Sequence, residues 1–319
     1  GEIIFNSGGT ESDNSILKCA VKDLGVKHII SSKIEHHAIT HTLEELKAQN
    51  VSIHYVKLKE KGNIDLDHLE YLLNLNDESK LVTLMYINNE IGNILDINKV
   101  SNLCQKYNSF FHSDAVQAVG HYKIDLSSLK IDFMTSAGHK FHGPKGVGFT
   151  YINNSTKIKS FICGGPQERG LRAGTESVHN IVGMTKALEI ADNNMKEEAQ
   201  HVKSVKKYMI ENLSNLFPNI HFNGESGNMT NSTYTVLNVC FPISNDKAAM
   251  LDFQLDLKGI ACSKGSACQS GSSEGSHVLS EIQNDANKKF PSVRFSFSHN
   301  NNKKEVDYLI ETLKEFINS

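Results

Sequence analysis

Tryptophan is absent and proline occurs only five times in 319 residues. That leaves no room for a proline-rich linker or a polyproline ligand segment. No apolar run approaches the roughly 18 residues that a membrane-spanning helix needs. There is no Cys-x-x-Cys pair among the six cysteines, which sets aside zinc ribbons and thioredoxin-like redox motifs. Charge of one sign is not in excess: the formal net charge is -3, so bulk electrostatics calls for neither nucleic acid nor a membrane surface as partner. The Gly-x-Gly-x-x-Gly spacing of dinucleotide sites is missing as well.

What is present is an ordinary globular composition, 39% hydrophobic and 22% charged. A chain of this length exceeds what one small core usually serves, so two domains are expected, residues 1–193 and 194–319. The cysteines read as free thiols in a reducing cytoplasm. Cys19, Cys104, Cys163, Cys240 and Cys262 lie in mixed or apolar stretches and are expected to pack in cores. Cys268 stands apart, in a loop of small polar residues, Gly265-Ser-Ala-Cys-Gln-Ser-Gly271.

Over the first two thirds of the chain, short apolar runs alternate with helical periodicity. Strands are expected at residues 2–5, 28–31, 52–56, 81–87, 109–112, 133–135 and 147–152, with helices at 13–24, 38–49 and 98–107. This alternation predicts an α/β domain with a mainly parallel sheet. A long helix is expected over 178–216. The remainder, with strands near 232–241 and 293–298 and helices near 246–258 and 303–317, reads as a smaller α+β domain.

Polar residues cluster where strands end. The first run leads into Ser7-Gly-Gly-Thr-Glu-Ser-Asp-Asn14, where Thr10 is expected to cap a helix and Gly9 to allow close approach of an anion to its N-terminus. Later runs end in Asn88-Asn-Glu90, in Ser113-Asp-Ala-Val-Gln117 and in Ser136-Ala-Gly-His-Lys140. In open α/β sheets ligands bind beyond the carboxyl ends of strands. Asn89, Asp114, Gln117, His139 and Lys140 are therefore expected to converge on one crevice. A lysine can form a Schiff base with an aldehyde cofactor, and an aspartate can hold a protonated pyridine nitrogen. Lys140 and Asp114 are the candidates. The imidazole of His36 can lie flat on a planar ring and shuttle protons. A thiol on a small-residue loop, Cys268, can visit a substrate and then an acceptor.

With these residues in view the sequence resembles the cysteine desulfurases of the class-V aminotransferase family, most closely the group that supplies sulfur for iron–sulfur cluster assembly. The motifs are Ser7 to Asn14, Glu35-His36, Asn88-Asn-Glu-Ile-Gly92, Asp114-Ala-Val-Gln117, Gly138-His-Lys-Phe-His-Gly-Pro-Lys-Gly146, Gln167-Glu-Arg-Gly-Leu-Arg-Ala-Gly-Thr175, Gly265-Ser-Ala-Cys268 and Val293-Arg-Phe-Ser296. They follow the family's order along nearly the whole chain.

The resemblance implies the type I fold of pyridoxal-phosphate enzymes and pyridoxal 5'-phosphate as cofactor, with Lys140 as its Schiff-base residue. Asp114 would meet the pyridine nitrogen, Gln117 the phenolic oxygen, and His36 the ring face. Gly9, Thr10 and His139 would hold the phosphate, joined by Thr175 from the partner subunit of a homodimer. Asn89 would support the ring or the substrate, and Arg294 would clamp the substrate carboxylate. Cys268 would take sulfur from L-cysteine as a persulfide, releasing alanine, and pass it to an acceptor protein such as an iron–sulfur scaffold. No metal site is expected, beyond Cys268 acting as a transient ligand to a cluster.

Three departures from the family pattern stand out. Ala137 occupies the position of a phosphate-binding serine in many members. Gly275 stands where many have proline. The resemblance also implies a further segment ahead of Gly1, so the sequence is expected to be part of a longer enzyme. Two other readings remain open at this stage, a selenocysteine lyase on the same scaffold and a truncated scaffold without catalysis.

Overall fold

The structure, a computed structural model, describes residues 1–243, 245–264 and 275–318. Cys268 lies outside the described residues. The chain divides into two units, one of Gly1–Lys57, Ile64–Ile87 and Leu95–Met195, the other of Leu58–Asn63, Asn88–Ile94 and Lys196–Ser319.

The first unit contains β1 (Ile3–Asn6), α1 (Gly9–Leu24), β2 (His28–Ser31), α2 (His37–Ala48), β3 (Ser52–Tyr55), α3 (Leu66–Leu73), β4 (Lys80–Thr83), α4 (Ile97–Lys106), β5 (Phe110–Asp114), β6 (Phe133–Ala137) and β7 (Gly148–Ile152). Its seven strands form one sheet in the order β1-β7-β6-β5-β4-β2-β3. The run from β6 through β5, β4 and β2 to β3 is parallel, while β7 is antiparallel to both β6 and β1. The apolar stripe of α1, Ile16, Leu17, Cys19 and Ala20, packs with Ile39, Leu43 and Leu46 of α2 and with Ile4, Ile29, Leu81 and Phe133 of the sheet. Gly25 ends α1 in the left-handed region, its N–H closing on Ala20 O.

Helix α5 (Val178–Leu216) runs from the first unit into the second. The second unit adds β8 (His221–Phe222), β9 (Val236–Cys240), α6 (Asn245–Leu257), β10 (Ser263–Lys264), α7 (His277–Ile282), α8 (Asp285–Lys288), β11 (Ser292–Ser296) and α9 (Lys303–Asn318). Its four strands pair antiparallel in the order β10-β11-β9-β8. Val205, Met209 and Leu213 of α5 recur every four residues, and Val306, Leu309, Ile310 and Leu313 of α9 at three- and four-residue steps. Both stripes close over Leu237, Val239, Phe241 and Phe295.

Several boundaries differ from expectation for physical reasons. Helix α1 starts four residues earlier than expected, with Gly8 at its N-cap and no side-chain cap, so Thr10 lies inside the first turn instead of capping it. The run at 81–87 is a strand only to Thr83, because its later apolar residues Leu84, Met85 and Ile87 are buried in irregular chain. Helix α3 was not anticipated, although Asp65 caps it in the usual way, accepting from the N–H groups of Asp67 and His68. Cys19, Cys104 and Cys240 are buried and Cys262 is half-buried, but Cys163 is exposed, contrary to expectation.

Phe241 is fully buried and meets Phe217 edge-to-face at a centroid distance of 5.5 Å. Phe241→Ala removes that ring from a core that relaxes only partly, and is expected to cost about 3–5 kcal/mol. Urea unfolding of the two proteins side by side measures it; a loss under about 1 kcal/mol would contradict the packing described here.

Candidate active site

The carboxyl ends of the parallel strands carry an unusual density of buried acid. Asp114 closes β5 and is buried, with Oδ1 accepting from Val116 N at 2.9 Å. Asp13 lies in α1, three and four residues before the core residues Ile16 and Leu17, and therefore on the buried face. Glu35 follows β2; its Oε1 accepts from Ser32 Oγ at 2.6 Å and its Oε2 from Met85 N at 2.8 Å. The Glu35 carboxylate thus satisfies a backbone donor just beyond the end of β4.

Burial is the first cause of the altered acidity of all three. It raises Glu35 to about 8, with Asp114's charge adding and the Ser32 and Met85 bonds opposing. Burial, then the charges of Asp114 and Glu35, lift Asp13 well above the carboxylate range. Asp114 rises only to about 6, because the Val116 N–H and the Lys140 ammonium oppose its burial. Asp114 is therefore the acid of this group best able to carry charge at neutral pH.

A chain of hydrogen bonds runs beneath these acids. Thr83 Oγ1 meets His112 Nδ1 at 2.9 Å, His112 Nε2 meets Thr135 Oγ1 at 3.0 Å, and Thr135 donates to Ser12 Oγ at 3.0 Å. Ser12 and Thr150 hydroxyls are 2.5 Å apart, Asn6 Nδ2 donates to Thr150, and Asn6 Oδ1 receives Gly8 N at 2.9 Å. Since Thr135 donates onward, His112 must donate from Nε2 and accept at Nδ1, which is the neutral ring. Complete burial agrees, holding His112 down to about 3. The chain ends on the backbone of the glycine turn before α1.

That turn is held close to the sheet. A Cβ on Gly148 would stand 2.4 Å from Ser136 O and 2.7 Å from Gly8 Cα, so no other residue fits between β6 and the turn. A Cβ on Gly9 would stand 3.0 Å from Val116 Cγ2. Helix α1 spans 16 residues and begins with no side-chain cap, so its first N–H groups and its dipole face outward.

Lys140 and His139 are exposed, in the short helical turn Gly138–Phe141 between β6 and β7. Phe141 is buried beneath them and occupies the space where a Cβ of Gly120 would lie, 2.4 Å from its own Cβ. His121 Nε2 is 2.9 Å from Lys140 O. Partial burial and the charges of Lys140 and Lys145 lower the His139 pKa. His36 caps α2, its Nδ1 accepting from Ala38 N at 3.1 Å, so the neutral ring carries its proton on Nε2. Gln117 is half-buried in the turn after β5. Thr175 borders a cavity of about 150 Å³ shared with Ser7, Gly146 and Arg172 of its own chain.

The structure therefore gathers Gly9, Asp114 and Lys140 by direct packing or charge, and sets His36, Gln117, Thr10 and His139 at strand ends or helix starts of the same unit. Asn89 and Arg294 belong to the second unit, where Arg294 Nη1 donates to Asn89 O at 3.0 Å. Sequence reasoning missed Asp13, Glu35 and His112 as parts of this constellation. An acid on the apolar face of a predicted helix was the available signal for Asp13. A second cavity, about 850 Å³, is lined by Lys80, Tyr107 and Asp132 at the amino ends of β4, β5 and β6 and contains none of the expected site residues.

The mainly parallel seven-stranded sheet of the first unit and the antiparallel sheet of the second define a mixed α/β protein whose solved neighbours carry the type I fold of pyridoxal-phosphate enzymes. The chain belongs to the class-V aminotransferase family, whose model matches residues 1–309. It is 40% identical over 319 residues to the cysteine desulfurase IscS of Clostridium botulinum (strain Kyoto / Type A2), covering 99% of this chain and 79% of that protein. It is 39% identical over 319 residues to the cysteine desulfurase IscS of Methanosarcina thermophila, covering 99% and 77%. Among solved structures, a NifS-like protein superposes with a TM-score of 0.88 at 34% identity, over 99% of this chain and 82% of that one. The NifS-like protein from Rickettsia africae superposes with a TM-score of 0.87 at 29% identity, over 100% and 82%.

The acid cluster has a measurable signature. An unfolded chain releases the Glu35 proton near its ordinary value of 4.5, whereas the folded chain holds it to about 8. The folded state binds the extra proton between those limits. The stability this proton confers is complete below about pH 4.5 and is lost as pH rises to about 8. Glu35→Gln is expected to flatten the fall of the urea midpoint between pH 5 and pH 8 in the cofactor-free protein. An unchanged pH slope in that variant would show that Glu35 titrates normally.

Proposed function

We propose that this chain is a pyridoxal-phosphate-dependent cysteine desulfurase, converting L-cysteine to L-alanine and placing the sulfur on Cys268 as a persulfide. The observation that carries this reading is the pairing of a buried, chargeable Asp114 with an accessible Lys140 beside an uncapped helix start. Those are the groups that a pyridinium, an aldehyde and a phosphate require, so the residues present fit the cofactor. Similarity to proteins named cysteine desulfurase supports the same activity and does not favour the selenocysteine lyase alternative.

Pyridoxal phosphate, when bound, supplies an aldehyde for amines and a ring that draws electrons from the substrate's α-carbon. Asp114 would hold the pyridine nitrogen protonated, and His36 would lie on the ring face with Nε2 as its proton-bearing edge. Gln117 would meet the phenolic oxygen. Gly9 and Thr10, with His139 and Thr175 of the partner subunit, would hold the phosphate. Ala137 contributes no hydroxyl there, so the hold depends more heavily on the N-terminus of α1. Asn89 would support ring or substrate. Arg294 would bind the substrate carboxylate through its guanidinium fork, which suits a planar anion. The Lys140 amine would take the substrate's α-proton.

The Cys268 thiolate would then attack the substrate sulfur. The carbon–sulfur bond breaks, its electron pair passes to the substrate carbon, a sulfur–sulfur bond forms, and the carbon gains a proton. The sum is L-cysteine plus the Cys268 thiol giving L-alanine plus the Cys268 persulfide. An acceptor protein such as an iron–sulfur scaffold would collect that sulfur from a homodimer in the cytoplasm. Among the described residues no helix is long and apolar enough to cross a membrane.

The test is alanine formed from L-cysteine with pyridoxal phosphate and a reducing thiol present. Cys268→Ala is expected to lower the rate on the order of a hundredfold or more while keeping the cofactor's visible absorbance. Lys140→Ala is expected to lose that absorbance. Alanine formed equally by the parent and the Cys268 variant would refute the assignment of the thiol.

A further inference from the structure

Two stretches flank residues 265–274, within which Cys268 falls: β10 upstream, and Gly275 with Ser276 downstream. Both are fixed to one turn, residues 88–92. Upstream, Ser263 pairs with Arg294 in the sheet, and the guanidinium donates to Asn89 O at 3.0 Å and to Ser263 Oγ at 3.4 Å. Downstream, Ser276 Oγ donates to Glu90 Oε2 at 2.5 Å and accepts from Leu279 N at 3.0 Å, capping α7. Adjacent residues of the turn, Asn89 and Glu90, therefore hold the proposed carboxylate clamp and the two described stretches that flank residues 265–274.

The turn is itself rigid. Asn88 Oδ1 accepts from Glu90 N and Ile91 N at 2.9 and 3.0 Å, and Asn238 Nδ2 donates to Glu90 O at 3.0 Å. Glu90 is fully buried. Among the described residues no cation stands within ion-pair distance of it, and its Oε1 has no hydrogen-bond partner. A carboxyl in that position is costly, and an apolar side chain of similar size would fill the space more cheaply. Capping α7 does not require it either, since Ser276 reaches Leu279 N by itself. What the carboxyl adds is the tie between the turn and Ser276.

We propose that Glu90 is a positioning residue for sulfur transfer: by holding Ser276 it fixes the downstream end of the Cys268 segment to the same turn that orients Arg294. The inference rests on the desulfurase reading above. Its physical content is anchorage: losing the tie frees one end of the chain that carries the thiol, so productive approach becomes rarer, while the Arg294–Asn89 bond that orients the carboxylate clamp is left in place.

Glu90→Met and Ser276→Ala each break the tie, while Glu90→Gln keeps an acceptor oxygen in place. In the full chain loaded with pyridoxal phosphate, both tie-breaking variants are expected to lower kcat about ten- to a hundredfold, with KM for L-cysteine changed less than about twofold. The visible absorbance should not move. Glu90→Gln should recover most of the kcat. The double variant Glu90→Met with Ser276→Ala should lose no more than the worse single one, because both changes break the same Glu90–Ser276 bond. Should Glu90→Met fail to fold, Ser276→Ala and its rescue by Ser276→Thr decide the matter alone. A kcat within about twofold of the parent in Ser276→Ala, or a KM that rises in step with the loss of kcat, overturns the proposal. No alanine from the parent would sink the desulfurase reading and this inference with it; an active parent with equally active variants would sink only the inference.

Discussion

A carboxylate buried at the end of a parallel strand is the constraint around which the first unit is arranged. Asp114 cannot be stripped of water and left charged without compensation. Its own fold supplies only part of that: one backbone N–H from Val116 and the field of Lys140. Burial therefore raises its pKa to about 6, and the protonated pyridine nitrogen proposed above would favour its charged form. The other two acids sharpen the arrangement. Burial raises Asp13 and Glu35 as well, so all three acids resist ionisation where they lie together.

The polar chain from Thr83 through His112, Thr135, Ser12, Thr150 and Asn6 to Gly8 connects that acid cluster to the start of α1. The hydroxyls of Thr135, Ser12 and Thr150 each have two partners in it, so a single change would leave a buried donor or acceptor unpaired. Gly148 makes the arrangement possible by letting β7 touch the glycine turn. The result is a glycine turn at the start of α1 whose position is set by buried side chains on other strands. In the second unit the turn at residues 88–92 has a parallel role. Its backbone and one buried carboxylate organise side chains that are far apart in sequence, Arg294, Asn238 and Ser276.

Much of this was legible in the sequence. The seven strands of the first sheet fall where the apolar runs do, and the long helix has the expected bounds, because both follow from local periodicity. Lys140 and Asp114 stood out as candidates because polar residues recur at successive strand ends, and His36 because it sits in the polar bend between a strand and a helix. The misreadings share one cause. Residues 84–87 look like strand because they are apolar, but they are apolar because the chain they occupy is buried. Thr10 looks like a helix cap because nothing local reveals that Gly8 starts the helix one turn sooner.

By itself the sequence determined the α/β alternation and the family and singled out the candidate side chains, since these depend on residue type, order and short-range spacing. Only the tertiary structure decided that Asp13, Glu35 and His112 lie buried with Asp114, and that residues 58–63 and 88–94 join the second unit. It alone joined Glu90 to Ser276, 186 positions apart in the chain. Burial and long-range pairing set the proton affinities and the positions of those groups, and neither quantity exists until the chain has closed on itself.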